Sequence, residues 1–216
     1  MNPPSVQDPA PHAPRRGRPR KSAQERDESQ RRAELLRAAA RLFRHQGFDA
    51  TSTRDIAAAA GMQSGSPFYY FESKSALLYA VMHDGMAMVT QAQAQALQAL
   101  GPRPTARERL RALIRHHFEV LVGPASDFIP VMLYEWRALT PEQRARIGAL
   151  KDRYEAAWMP VLGSLRRSGS LRARPEVARL FIFGALNWTV QWFDPRGPLS
   201  LDELTEQALR LFLGDR

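Results

Sequence analysis

Residues 51–78 read TSTRDIAAAAGMQSGSPFYYFESKSALL. Thr51 and Ser52 are candidate caps for a short helix from about Thr53 to Ala60, because a hydroxyl there accepts from an unpaired N–H of the first turn. Gly61 closes that helix, since glycine takes a positive φ at no steric cost. Another short helix spans roughly Ser64 to Phe71. A much longer one follows Ser73 and carries Leu77, Leu78, Val81, Met82, Met86 and Val89 on one stripe. Two short helices around a tight turn, with a helix before them, are the sequence form of a helix-turn-helix, whose second element enters the major groove of DNA.

Upstream, helical periodicity begins at about Glu28. Leu35, Leu36, Ala39, Leu42 and Phe43 recur at spacings of three, four and seven, and Gly47 follows as a stop. Residues 1–25 are dominated by proline and charge and read as a disordered arm. Within the arm Arg15, Arg16, Arg18, Arg20 and Lys21 stand together with no acid among them. Arg16-Gly17-Arg18-Pro19-Arg20 resembles an AT-hook core, an extended basic element suited to a narrow A·T minor groove. Placed before a helix-turn-helix it parallels a minor-groove arm, with Arg16 and Arg18 as the contacts. A merely solubilising tail is the competing reading.

Downstream of Gly101-Pro102, further helices read as about 105–122, 127–139, 141–168, 175–193 and 200–213. Gly123-Pro124, Thr140-Pro141, Gly169, Pro175 and Asp194-Pro195-Arg196-Gly197-Pro198 punctuate them, and Ser200 with Glu203 forms a capping box. Pro130 and Pro160 lie inside helical patterns, so a kink or break is expected near each. No stretch alternates at period two. The chain is therefore expected to be all-α, with about nine helices: a helix-turn-helix domain over 26–74 and a larger helical domain over 75–216.

Composition narrows the function. The net charge is +9, from 31 basic and 22 acidic residues. Residues 1–74 hold 13 basic and 8 acidic residues, the rest 18 and 14. A basic balance attracts nucleic acid or an anionic membrane surface. No apolar run approaches the roughly 18 residues needed to span a bilayer, and the proline-rich start lacks the apolar segment of a secretory signal. The absence of cysteine excludes disulfides, a redox pair and thiolate metal sites. These features point to a cytoplasmic protein with no membrane contact, no metal and no cofactor. Enzyme chemistry finds no support. His116 and His117 point about 100° apart on a helix and make a poor metal pair. His45 and His83 are isolated, and no phosphate loop or nucleophile elbow is present.

The stretch from Arg32 to Met82, with TSTRDIAAAAGM followed by SGSPFYYFESKSALL, resembles the DNA-binding domain of the TetR (tetracycline-repressor-like) family. The resemblance implies that Arg54, Ser64, Ser66 and Tyr69 read base edges while Thr53, Tyr70 and Lys74 meet the DNA backbone. Gly65, between two serines, permits close approach. The family usually has an aliphatic residue where Pro67 stands and a phosphate-contacting tyrosine where Phe68 stands. Phe68 has no hydroxyl, so it stacks or packs instead. Core packing competes for Tyr69 and Tyr70 and is the preferred reading for Phe71.

A single module of this kind buries only ~600–1,000 Å² on DNA, so two are expected, related by a two-fold axis, on half-sites ~34–36 Å apart. The resemblance implies a homodimer formed through 175–193 and 200–213. Their apolar content, from Leu180, Phe181 and Trp188 to Leu209, Leu211 and Phe212, agrees. The remaining helices carry Phe118, Met132, Tyr134, Trp136, Trp158 and Trp188, aromatics able to line an apolar cavity or to fill an ordinary core. Asn187 is polar on an apolar helix and needs a partner, ligand or backbone. The run GALNWTVQWFDPRGPLSLDEL resembles a TetR-type subgroup that responds to acyl-coenzyme A thioesters, which makes an acyl-CoA the implied effector. Phe118, Tyr134, Arg137, Trp158, Asn187 and Trp188 are the candidate ligand contacts, with Arg166, Arg167 and Arg179 as further cations for its phosphates. The reading is a ligand-responsive repressor that binds a palindromic operator; the alternative is a sequence-independent architectural DNA-binding protein.

Overall fold

The computed structural model describes residues 23–123 and 127–214, and its regular elements there are all helical. Ten α-helices follow one another: α1 (Ala23–Gln46), α2 (Thr53–Ala59), α3 (Pro67–Tyr70), α4 (Lys74–Gln98), α5 (Ala106–Val122), α6 (Phe128–Tyr134), α7 (Pro141–Ala156), α8 (Trp158–Arg167), α9 (Pro175–Trp188) and α10 (Leu201–Leu213). Single 3₁₀ turns follow α6 and α9. The arm arginines Arg16 and Arg18 lie outside the described residues.

Several boundaries differ from the sequence expectation for identifiable reasons. Helix α1 starts at Ala23, five residues before Glu28. The side chains from Gln24 to Arg31 are exposed, so no apolar stripe marks this end. Good helix formers, Glu25 near the positive end of the dipole and an Asp27–Arg31 pair at 3.2 Å hold it instead. The helix expected over 141–168 is two helices, meeting at Ala157. Pro160 supplies no N–H, and its ring crowds the carbonyl four residues back, that of Ala156, where α7 ends. Pro130 causes no break, because α6 begins only at Phe128 and the ring sits in its first turn.

Helix α5 is the spine of the larger half. Leu110, Leu113, Ile114, His117, Phe118 and Leu121 are buried at alternating spacings of three and one, one face of a helix. The helix meets α4, α8, α9 and α10. Helix α4 runs from the helix-turn-helix into this bundle and also packs on α1, α6 and α7. The buried apolar residues form one cluster, from Leu35 and Phe43 through Leu78 and Met82 to Phe118 and the fully buried Trp158. Helix α6 wedges between α1 and α4. There the Phe128 ring lies so close to Gly85 that a Cβ on the glycine would stand 2.3 Å from Cδ2.

Candidate DNA-reading face and helical core

The turn between α2 and α3 follows from three local devices. Ser52 caps α2: its Oγ accepts from the Asp55 N–H at 3.1 Å, and the Asp55 carboxylate accepts in return from the Ser52 N–H at 3.1 Å. These bonds hold the Asp55 carboxyl below its ordinary pKa. At the other end Gly61 takes φ +68°, and Met62 and Gly61 donate to the carbonyls of Ala57 and Ala58 at 2.8 and 3.0 Å. That is a Schellman closure, which needs a residue free to adopt positive φ. Helix α3 then spans only Pro67–Tyr70, shorter than the Ser64–Phe71 expected. Pro67 has no N–H to give to Gln63, so residues 63–66 close a turn in which Ser66 donates to the Gln63 carbonyl at 2.9 Å.

Thr53 and Arg54 occupy the first turn of α2, Arg54 exposed and Thr53 half-buried. Ser64, Gly65 and Tyr69 are exposed, and Ser66 and Tyr70 half-buried. Thr53, Phe68 and Lys74 border one shallow concavity, while Ser66, Tyr69 and Tyr70 border the next, together with Glu28 of α1. Pro67 and Phe71 point inward and are buried. Tyr69 is 74% exposed, its ring edge-on to Tyr70 at 5.0 Å, and its hydroxyl bonds the Glu28 carboxylate at 3.0 Å. Sequence reading missed Glu28, because its partner is 41 residues away and nothing local marks it.

Lys74 is fully engaged. Its ammonium donates to the carbonyls of Phe48, Asp49 and Thr51 at 2.7, 3.3 and 2.9 Å and sits 4.3 Å over the Phe48 ring. The group thereby holds the loop that leads into α2. The same loop is tied to α6, where the Glu135 carboxylate accepts from the Phe48 N–H at 3.0 Å.

The helical core contains a polar network. Asn187 Oδ1 only accepts, so His117 Nε2 carries the proton and donates to it at 3.1 Å. The neutral ring's Nδ1 then accepts from the Tyr154 hydroxyl at 3.0 Å. Burial pushes the His117 pKa down to about 4 and the Tyr154 phenol up, so both are neutral at physiological pH. Gln93 of α4 joins from the side: with its amide nitrogen turned to Tyr154 and its oxygen to Trp158, the orientation that satisfies both groups, it donates to the Tyr154 carbonyl and accepts from the Trp158 indole, each at 3.0 Å. Phe183 stacks edge-on to His117 at 5.1 Å and lies 4.8 Å from Trp158. The network links α4, α5, α7, α8 and α9. Both His117 and Gln93 sit in line with buried apolar residues of their helices, which is the signal that would have found them.

Of the six candidate ligand contacts, Trp158 and Asn187 both meet His117, and Phe118 is buried in the same large apolar cluster. Tyr134, Arg137 and Trp188 stand on the outside of the protomer, with the Tyr134 hydroxyl taken by Gln191. Arg166 and Arg167 are exposed, and Arg179 pairs with Glu155. A separate apolar stripe lies on the outer face of α9, where Val177, Leu180, Phe181, Gly184, Ala185 and Trp188 are all exposed.

Residues 35–81 match the model of bacterial regulatory proteins of the tetR family, and residues 103–215 match the Tetracyclin repressor-like C-terminal domain. The second match spans more than half of the chain. The chain belongs to the TetR family. It is a helix-turn-helix transcriptional regulator, and its all-helical architecture is that of the family. It is 30% identical over 192 residues to the HTH-type transcriptional repressor KstR2 of Rhodococcus jostii (strain RHA1), covering 86% of this chain and 90% of that one. Among solved structures it resembles AibR, captured with isovaleryl coenzyme A and operator DNA (TM-score 0.75, 28% identity, 86% of this chain and 100% of the other). It also resembles a protein described as the superantigen PfiT (TM-score 0.72, 41% identity, 86% and 97%). Among the described residues no helix is long and apolar enough to cross a membrane.

Proposed function

We propose that the chain is a cytoplasmic homodimeric repressor that binds an inverted-repeat operator and leaves it when an acyl-CoA enters the helical core. Residues 26–74 are the DNA-binding unit and 75–216 the effector and dimer unit, with the basic arm before them reaching the minor groove through Arg16 and Arg18. The observation that carries the reading is the likeness, over the whole length of the other chain, to a regulator solved with both an acyl-CoA and its operator. In this assignment Arg54, Ser64, Ser66 and Tyr69 meet base edges. Gly65 lets the backbone approach, and Thr53 and Tyr70 meet phosphates. Lys74 holds the loop that positions Thr53 and Arg54.

The effector would open the core where α5, α7 and α9 meet. A thioester carbonyl is an acceptor, as Asn187 Oδ1 is, so it can replace that oxygen on the His117 Nε2–H. The acyl chain would lie along Phe118 and Trp158, with Arg137 outside for the phosphates. An effector preferring the opened core by ~1–3 kcal/mol changes operator affinity several-fold to a hundred-fold. Thermal-shift titration against a series of acyl-CoAs tests this: stabilisation by some thioester with matching loss of operator binding supports it, and no stabilisation by any chain length removes the effector.

A second reading rests on the 41% identity to the superantigen PfiT. The protein would then also act as a superantigen. T-cell proliferation driven by the purified protein would show this further activity, and its absence would remove it.

A further inference from the structure

The Glu28–Tyr69 bond sets what kind of group the recognition helix can read. A tyrosine hydroxyl has one hydrogen and accepting lone pairs, whereas an ionised carboxylate only accepts. The hydrogen in the 3.0 Å contact is therefore the tyrosine's, committed to Glu28. The neighbouring carboxylate also raises the phenol pKa, so the hydroxyl keeps that hydrogen. The ring is steadied edge-on against Tyr70 and the residue is 74% exposed, and the hydroxyl oxygen keeps acceptor capacity alone.

An acceptor-only hydroxyl has few partners on a duplex. Phosphate oxygens, guanine O6 and N7 and thymine O4 are acceptors and offer it no hydrogen. In the major groove the donors are cytosine N4 and adenine N6. The Glu28 charge also disfavours a phosphate beside the Tyr69 hydroxyl. We infer that Glu28 is a specificity-determining residue: by holding the Tyr69 hydrogen it makes Tyr69 select an amino-bearing base, adenine or cytosine, at one position of each half-site. The inference rests on the proposed placing of Tyr69 against base edges.

The test is selection of the full-length protein on a library of randomised duplexes, followed by sequencing, for wild type, Glu28→Ala, Glu28→Gln and Tyr69→Phe. The position that loses its preference in Tyr69→Phe is the one Tyr69 reads. Wild type is expected to favour adenine or cytosine there over guanine or thymine by about tenfold, the size of a typical single-base discrimination. In Glu28→Ala the hydroxyl regains its hydrogen and can donate to a keto oxygen, so the ratio falls towards one. Positions lost in Arg54→Ala are expected to keep their preference. In Glu28→Gln the side-chain carbonyl still accepts, so the preference is retained. An unchanged amino preference in Glu28→Ala, or a keto preference in wild type, overturns the inference while leaving the operator reading intact. Enrichment of no inverted repeat by wild type overturns the operator reading and this inference with it. Both residues are exposed, and circular dichroism confirms that the variants fold.

Discussion

Lys74, the first residue of α4, reaches back to the carbonyl of Phe48 at 2.7 Å while its ammonium lies 4.3 Å over the same residue's ring. One cation thus binds the loop between α1 and α2 to the start of α4. Lys74→Met would leave carbonyls of Phe48, Asp49 and Thr51 without this donor. A lost partner of this kind costs about 1–3 kcal/mol where the group is shielded from water. The expected outcome is a Tm lowered by several degrees and operator binding weakened alike for all sequences. A variant with wild-type Tm would show that the clamp contributes nothing.

The α4–α6 crossing gives a sharper steric prediction. Replacing a mid-helix glycine by alanine ordinarily stabilises by about 1 kcal/mol. At Gly85 the new methyl would overlap the Phe128 ring, with three ring carbons under 3.0 Å. Overpacking of this kind costs about 1–3 kcal/mol, so the clash decides the sign and Gly85→Ala should destabilise. Adding Phe128→Leu should recover part of the loss, seen as positive coupling in a double-mutant cycle of chemical denaturation. Stabilisation by Gly85→Ala alone would mean that the helices separate freely here.

His117 makes stability depend on pH. Its folded pKa of about 4 lies below the ordinary 6.5, so the unfolded chain binds the proton more readily. The contribution is constant above about pH 6.5, falls as pH drops from there towards 4, and is fully lost below. The span corresponds to about 3 kcal/mol. Carboxylates titrate in the same range, so the difference between wild type and His117→Gln isolates the effect. The loss of Tm between pH 7 and 4.5 should be smaller in the variant. Equal losses would place the imidazole in contact with water.

Helix starts, stops and caps were legible where the physics is local. Gly47 and Gly61 take the positive φ that their position at helix ends suggests, and Ser200 with Glu203 forms the expected capping box. Pairings between distant residues were not legible. His117 meets Asn187 across 70 residues and Glu28 meets Tyr69 across 41, and no periodicity specifies which polar residues find each other. The tryptophans divide for a similar reason. Trp158 falls on a buried stripe with Val161, Leu162 and Leu165, whereas Trp188 falls on the exposed stripe of α9, so composition alone put both in one pocket.

That α9 stripe is expected to be the two-fold contact. Phe181 is 74% exposed and Trp188 65%, a contiguous apolar face of a kind that soluble monomers rarely leave open. Phe181→Glu should convert a dimer to a single chain in sedimentation experiments, with helicity retained and operator binding lost. A wild-type monomer would remove the two-fold arrangement.

The most direct test of the whole account is a comparison of affinities at fixed, near-physiological salt. The full-length protein would be titrated onto its selected inverted repeat and onto a scrambled duplex of the same composition. A dimer reading base edges with two copies of the 53–74 segment should bind the repeat ~10³-fold or more tightly. Equal affinity for the two duplexes would contradict the account.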